Sequence, residues 1–222
     1  MKKYKILNLY ACLGGNRYKW DEVDDNLEIT AVELDPELAR LYQERFPNDE
    51  VIVSDAHSYL LENYMNFDFI WTSPPCPTHS RVRISQKNTE SFIPMFPDMK
   101  LYEEIIFLDN YFDGKYVVEN VIPFYEPLIS AKKRGRHLYW TNFNLPNSLN
   151  ERRQPNDFIM TGSKPNEIFH NIDLSTYKGS QRKDKIARNL VDYEAGRTIL
   201  ETAFGIQRKE NVNQVSLFDA LS

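Results

Sequence analysis

Short apolar runs, each broken off by glycine, proline or an acidic residue and each followed by a helix-like stretch, fill the first half of the chain. Residues 4–10 (Tyr-Lys-Ile-Leu-Asn-Leu-Tyr) are apolar-rich and lead to Gly14-Gly15, the pattern of a strand and its turn. Residues 27–34 give a second strand. Pro36 then opens a helix in which Leu38, Leu41, Tyr42 and Phe46 recur at helical spacing, and Pro47 ends it. Residues 51–53 and 67–71 read as two more buried strands, with an amphipathic stretch at 58–64 between them. A helical stretch around 102–108 precedes a strand at 116–118. Strands alternating with helices over this length predict an α/β fold with a mostly parallel sheet. Such a sheet binds its ligands beyond the carboxyl ends of its strands.

The remainder is less regular. Residues 141–185 are rich in Asn, Pro, Gly and charge with little periodicity, and predict an irregular insertion. Regular pattern returns at Ile186, a helix is expected over 194–204, and residues 211–222 read as a mobile tail. At 222 residues there is room for one domain with a small insertion, and 41% hydrophobic against 27% charged residues excludes global disorder. No run of 18 apolar residues is present, and Met1-Lys2-Lys3-Tyr4 runs into the first strand without a secretory cleavage pattern. Cys12 and Cys76 are too far apart for a disulfide framework or a metal-ligand pair, so a reducing, cytoplasmic setting and no metal are expected. A net charge of −5 argues against a chain that coats nucleic acid all over, but leaves room for a local basic face.

The candidate site residues all fall at predicted strand ends. After the first strand come Tyr10-Ala11-Cys12-Leu13-Gly14-Gly15, where glycines would let backbone approach a ligand. Glu33-Leu34-Asp35 ends the second strand, roughly 20 residues on, where a nucleoside ribose is often held. Asp55 follows the third strand and suits either a ligand contact or a helix N-cap. This layout fits a nucleoside cofactor without naming it. After the fourth strand, Ser73-Pro74-Pro75-Cys76-Pro77 holds a cysteine between stiffening prolines, better suited to a thiolate nucleophile than to a buried structural thiol. Glu119 in Glu119-Asn120-Val121 ends the next strand and puts an acid at the same edge.

These residues resemble the DNA cytosine-5 methyltransferases, especially the small forms of phages and bacteria. The likeness covers most of residues 4–143 and then 186–206, in the family's motif order. Ser73 to Cys76 with Ser80, and Glu119-Asn120-Val121, are similar to its two catalytic motifs. Lys132-Lys133-Arg134-Gly135-Arg136 is similar to its Gln-x-Arg-x-Arg element, and Arg188-Asn189-Leu190-Val191 to its late Asn-x-Val element. The resemblance implies a Rossmann-like S-adenosylmethionine-dependent methyltransferase fold and methyl transfer to carbon 5 of a flipped cytosine in double-stranded DNA. It implies that Cys76 adds to carbon 6, that Glu119 holds the exocyclic amine and N3, and that Arg134 and Arg136 orient the base. S-adenosylmethionine would be held by Tyr10, Ala11, Cys12, Leu13, Gly14, Gly15, Glu33, Leu34, Asp55, Ala56, Ser73, Pro74, Asn189 and Val191. Residues 1–140 would form the catalytic domain, 141–185 a small target-recognition insertion, 186–209 the return to the catalytic domain, and 210–222 the tail.

The family pattern is not kept throughout. Cys12 stands where a glycine is usual, Pro77 where Gln follows the nucleophile, and Lys132 where Gln opens the arginine element. The segment 141–185 is short for a recognition region. Ser80, Arg81, Arg83 and Lys87 after the nucleophile, and Lys183 and Lys185 before Asn189, are the expected DNA contacts. In the tail, Gln214, Leu217 and Phe218 lie in a peptide similar to those that dock on the bacterial sliding clamp; an apolar tail folded on its own domain is the alternative. A monomer is expected. Three competing readings stand beside carbon methylation: an amino-methyltransferase, which would need an aromatic residue in place of Cys76; a folate-dependent hydroxymethylase; and a DNA-binding homologue without chemistry.

Overall fold

The computed structural model describes residues 3–85, 87–90, 92–151 and 164–206. Its centre is a seven-stranded sheet in the order β3-β2-β1-β4-β5-β7-β6. The strands are β1 (Tyr4–Leu9), β2 (Leu27–Glu33), β3 (Glu50–Val53), β4 (Phe69–Thr72), β5 (Lys115–Val121), β6 (Lys132–Arg134) and β7 (His137–Thr141). The first five run parallel; β7 is antiparallel to β5, and β6 to β7. The parallel strands sit at the places the hydrophobic runs predict. The last two were not predicted: Lys132-Lys133-Arg134 is charged throughout, and it pairs at the sheet edge, where only one neighbour must be satisfied.

Helices cover both faces, so the strands are apolar on both sides. On one face α2 (Ala56–Asn63) and α4 (Lys100–Tyr111) pack Leu60, Ile105 and Leu108 against Leu7, Leu9 and Ile70. On the other, α7 (Tyr193–Phe204) packs Ile199 and Leu200 against Ile6, Trp20, Phe69 and Trp71. A third cluster joins α1 (Pro36–Arg45) to the C-terminal part: Leu13, Leu38 and Leu41 meet Leu174, Ile186 and Leu190. The stretch 141–185, expected to be irregular, contains the helix α5 (Lys164–His170). The pattern that returns at Ile186 belongs to α6 (Lys183–Arg188), which begins three residues earlier. The short α3 (Arg81–Ser85) follows the Pro-Cys-Pro turn. Among the described residues no helix is long and apolar enough to cross a membrane.

The tail peptide with Gln214, Leu217 and Phe218 lies outside the described residues. The strand β7 runs to Thr141, so the boundary expected at 140/141 falls inside an element.

Candidate active site

A cavity of about 940 Å³ opens at the carboxyl ends of β1, β2, β4 and β5. Of the residues expected at a cofactor site, Tyr10, Cys12, Glu33, Leu34, Asp55, Ala56, Ser73, Pro74, Asn189 and Val191 line it; so do Cys76, Glu119, Arg136, Ser80 and Lys185. Seven separate stretches of sequence thus converge on one space.

Glu33 anchors one side of the cavity. Its carboxylate accepts the backbone N–H of Cys12 at 2.8 Å and of Asp35 at 2.9 Å. Burial pushes this carboxyl up, and those backbone donors pull it down. Cys12 takes φ 47°, the left-handed region that glycine favours, which aims its N–H at Glu33. The cysteine therefore keeps the turn a glycine would make, at a cost in backbone strain. Asp55 caps α2 by accepting from Ser58 N at 2.9 Å, and it lines the cavity. The Ser58 N–H holds its carboxyl below the usual range, with Lys100 3.9 Å away as a further cation.

The glycines do other work than expected. Gly14, at φ 64°, faces Phe46 and Tyr42, where an added Cβ would come within 2.5 and 2.8 Å. Gly15 faces Val191, whose carbonyl oxygen would lie 2.6 Å from a Cβ. Neither lines the cavity, nor do the buried Ala11 and Leu13. The turn is small because other parts of the protein, aromatic rings at Gly14 and backbone at Gly15, come close.

At the other end, Cys76 and Glu119 face the same space. The turn that carries Cys76 is tied down twice by its own carbonyl, which accepts from His79 N and Ser80 N, each at 3.0 Å. Asn120 binds the two segments together: its side-chain amide donates to the Pro74 carbonyl at 2.9 Å while its oxygen accepts Val121 N. Buried His79 adds a pin, with Nδ1 2.5 Å from the Tyr125 hydroxyl. Burial, then the Glu119 carboxylate, push the Cys76 thiol up; the cation of Lys185 works in the opposite direction. His137 Nε2 lies 3.7 Å from Glu119 Oε1 and lines the cavity beside it.

The two arginines separate. Arg136 lines the cavity, but Arg134 does not: its guanidinium is taken up by the carbonyls of Pro146 at 2.5 Å, Leu145 at 3.1 Å and Lys133 at 2.8 Å. Arg134 thereby staples the β6–β7 hairpin to the chain that follows. Lys132 is similarly engaged, donating to the Thr141 and Phe143 carbonyls. Of the basic residues expected at DNA, Lys185 reaches the cavity. Arg81 donates to the Pro123 carbonyl at 3.2 Å, Arg83 to that of Ile93, and Lys183 to that of Ser175 at 3.4 Å, while Lys87 is exposed.

Several lining residues, Gln181 among them, went unpredicted. Asp35 caps α1 and accepts from the Tyr177 hydroxyl at 2.9 Å and the Gln181 amide at 3.0 Å, so the segment expected to recognise a target also walls the Glu33–Asp35 side of the cavity. Burial opposes it, but those two donors hold the Asp35 carboxyl below its ordinary range. The acidic pair Glu33–Asp35 was visible; its partner 142 residues away was not.

Residues 4–101 match the family model for C-5 cytosine-specific DNA methylases. Nothing among curated proteins matches the chain. Over 94% of its length the chain is similar to the methyltransferase EhMeth of Entamoeba histolytica, with 11% identity, a TM-score of 0.52 and all of that protein covered. This likeness establishes the fold: an α/β, Rossmann-like, mostly parallel sheet of the kind that methyltransferase has, ending in an antiparallel hairpin. The chain is also similar to DNMT2 of Spodoptera frugiperda (26% identity, TM-score 0.38) over 54% of its own length and 36% of that protein's. A putative DNA modification methyltransferase from an E. coli prophage gives 18% identity and a TM-score of 0.37 over 56% of this chain and 34% of that one. The matched stretch contains Cys76, Glu33 and Asp55, while Glu119, Arg136 and Asn189 lie beyond it.

Proposed function

We propose that the protein transfers a methyl group from S-adenosylmethionine to carbon 5 of cytosine in double-stranded DNA. The observation that carries this reading is the meeting, in one cavity, of the Cys76 thiol with Glu119 at one end and the Glu33–Asp55 side at the other. The donor set fits the cofactor: Glu33 offers lone pairs for ribose hydroxyls, Asp55 an acceptor for the adenine amine, and Tyr10 an aromatic face. When bound there, S-adenosylmethionine supplies an electrophilic methyl group.

The chain's own residues prepare the base. The cytosine must leave the stack to reach Cys76. The thiolate adds to carbon 6, and Glu119 delivers a proton to N3 while holding the exocyclic amine, so carbon 5 becomes enamine-like and nucleophilic. Arg136 polarises the base carbonyl. After transfer, a base removes the carbon 5 proton and the Cys76–carbon 6 bond breaks. The electrostatics couple the first two steps. Burial and an ionised Glu119 raise the Cys76 thiol and Lys185 lowers it, so a Glu119 that still carries the proton destined for N3 is neutral and leaves the thiolate less opposed. Residues 141–185 act as a small recognition element, and Ser80, Arg81, Arg83, Lys87 and Lys183 meet the phosphates around the cavity.

A second reading, a DNA-binding homologue without chemistry, is favoured by one observation, the engagement of Arg134 away from the cavity. Labelled S-adenosylmethionine, mixed-sequence duplex DNA and nucleoside mass spectrometry separate the two. The expected product is 5-methylcytosine that disappears in Cys76→Ala. Methyl on a base nitrogen, or no product from a wild-type protein that binds both components, overturns the proposal.

A further inference from the structure

Glu104 lies in the middle of α4, 1% exposed, and the proposed chemistry leaves it without a task. Its Oε1 accepts the Tyr10 hydroxyl at 2.6 Å and lies 3.0 Å from His57 Nδ1; its Oε2 accepts the Thr72 hydroxyl at 2.6 Å. The three partners come from three elements. Tyr10 follows β1 and lines the cavity. Thr72 ends β4 and precedes the Ser73 to Cys76 turn. His57 stands in the first turn of α2, two residues after Asp55. One carboxylate therefore ties together the three loops that shape the nucleoside side and lead to the nucleophile.

Packing alone does not call for a carboxylate here, because burying a charge is costly unless its lone pairs are filled. The two Glu104 oxygens accept from the Tyr10 and Thr72 hydroxyls and meet His57 as well, so a single side chain orients all three partners at once. Tyr10 needs that hold: its φ of 55° is the left-handed conformation that residues with a Cβ rarely adopt. His57 is drawn in from its other side as well, with Nε2 3.3 Å from Glu103.

We propose that Glu104 is a positioning residue for S-adenosylmethionine, fixing the Tyr10 ring and the Asp55 turn through a buried hub that touches neither cofactor nor base. The proposal rests on the methyl-transfer reading of the cavity, and it predicts where the loss falls. In Glu104→Gln one of the three donors meets an N–H instead of an acceptor, so the loops relax while the reacting groups stay in place.

Titration calorimetry with S-adenosylmethionine and steady-state methylation test this together. Wild-type protein that fails to bind the cofactor overturns the methyl-transfer reading, and this proposal with it. Wild-type binding, with a dissociation constant at least tenfold weaker in Glu104→Gln and kcat at saturating cofactor within about twofold, is the expected result. A dissociation constant within twofold of wild type overturns the positioning role while leaving the reaction intact. Tyr10→Phe, which removes one hydroxyl, guards against a Glu104 variant that does not fold. It is expected to weaken cofactor binding several-fold, and unchanged affinity overturns the proposal. In a folded double variant the two losses are expected to be less than multiplicative, whereas independent packing defects would multiply.

Discussion

The reactivity of Cys76 is set by what surrounds it. Burial and the Glu119 carboxylate raise its thiol, and Lys185 lowers it. A negative neighbour disfavours a thiolate and a positive one favours it, so removing either has an opposite sign. Glu119→Gln is expected to speed alkylation of Cys76 by iodoacetamide at pH 7.5, by roughly half to one order of magnitude in rate. Lys185→Ala is expected to slow it. Peptide mapping distinguishes Cys76 from Cys12, whose thiol burial pushes up further and whose alkylation stays slow in every variant. A Glu119→Gln protein alkylated no faster than wild type would remove the charge coupling from the mechanism. At this scale much was legible. Ser73 to Cys76 and Glu119 advertise themselves because residue type, proline flanks and strand-end position agree. Asn120 was legible only as part of a motif; its hydrogen bond to Pro74 shows why an amide is needed there. Arg134 misled because a guanidinium in sequence carries no sign of whether it will face a ligand or a row of carbonyls.

The elements meet along a seam of small residues. Gly15 abuts Val191, and Gly196 of α7 lies so close to the turn after β1 that a Cβ would stand 2.0 Å from the Asn16 carbonyl oxygen. The indole N–H of Trp20 donates to the Gly196 carbonyl at 3.2 Å, so the approach is backbone against backbone on one side and ring on the other. Backbone cannot swing aside as a side chain can, and overpacking of this kind costs about 1–3 kcal/mol. Gly196→Ala is expected to lower Tm by roughly 3–10 °C and to weaken cofactor binding, because displacement of α7 carries Val191 with it. Thermal melts and calorimetry check both; an unchanged Tm would mean that α7 is free to move. The strands β1 to β5 were legible in the sequence because a two-sided parallel strand must be apolar almost throughout. The seam was not. Gly14 and Gly15 read as ligand-facing glycines because their true neighbours, Tyr42, Phe46 and Val191, come from other elements and from 28 residues or more away. Nor was α5, whose short helix has no long apolar stripe to announce it.

Across the whole molecule, the C-terminal segment completes the core of residues 4–101. Ile6, Trp20, Ile29, Phe69 and Trp71 are covered in part by Val191, Ala195, Ile199 and Leu200; Leu13, Leu38 and Leu41 are covered by Leu174, Ile186 and Leu190. Full burial of one such side chain contributes about 1.5–3 kcal/mol. Uncovering even four of them removes roughly 6–12 kcal/mol, comparable to the entire stability of an ordinary domain at about 5–15 kcal/mol. The cavity loses a wall at the same time, since Gln181, Lys185, Asn189 and Val191 all belong to that segment. A fragment of residues 1–151, which contains the whole family-matched stretch together with Cys76 and Glu119, is therefore expected to lack a cooperative melt, near-ultraviolet circular dichroism and cofactor binding. Mixing it with residues 152–222 is expected to restore all three if the core is the cause, because the missing apolar faces are then supplied in trans. A fragment that melts cooperatively on its own would instead make residues 1–151 an independent unit, and the C-terminal segment an attachment rather than a structural half of the site.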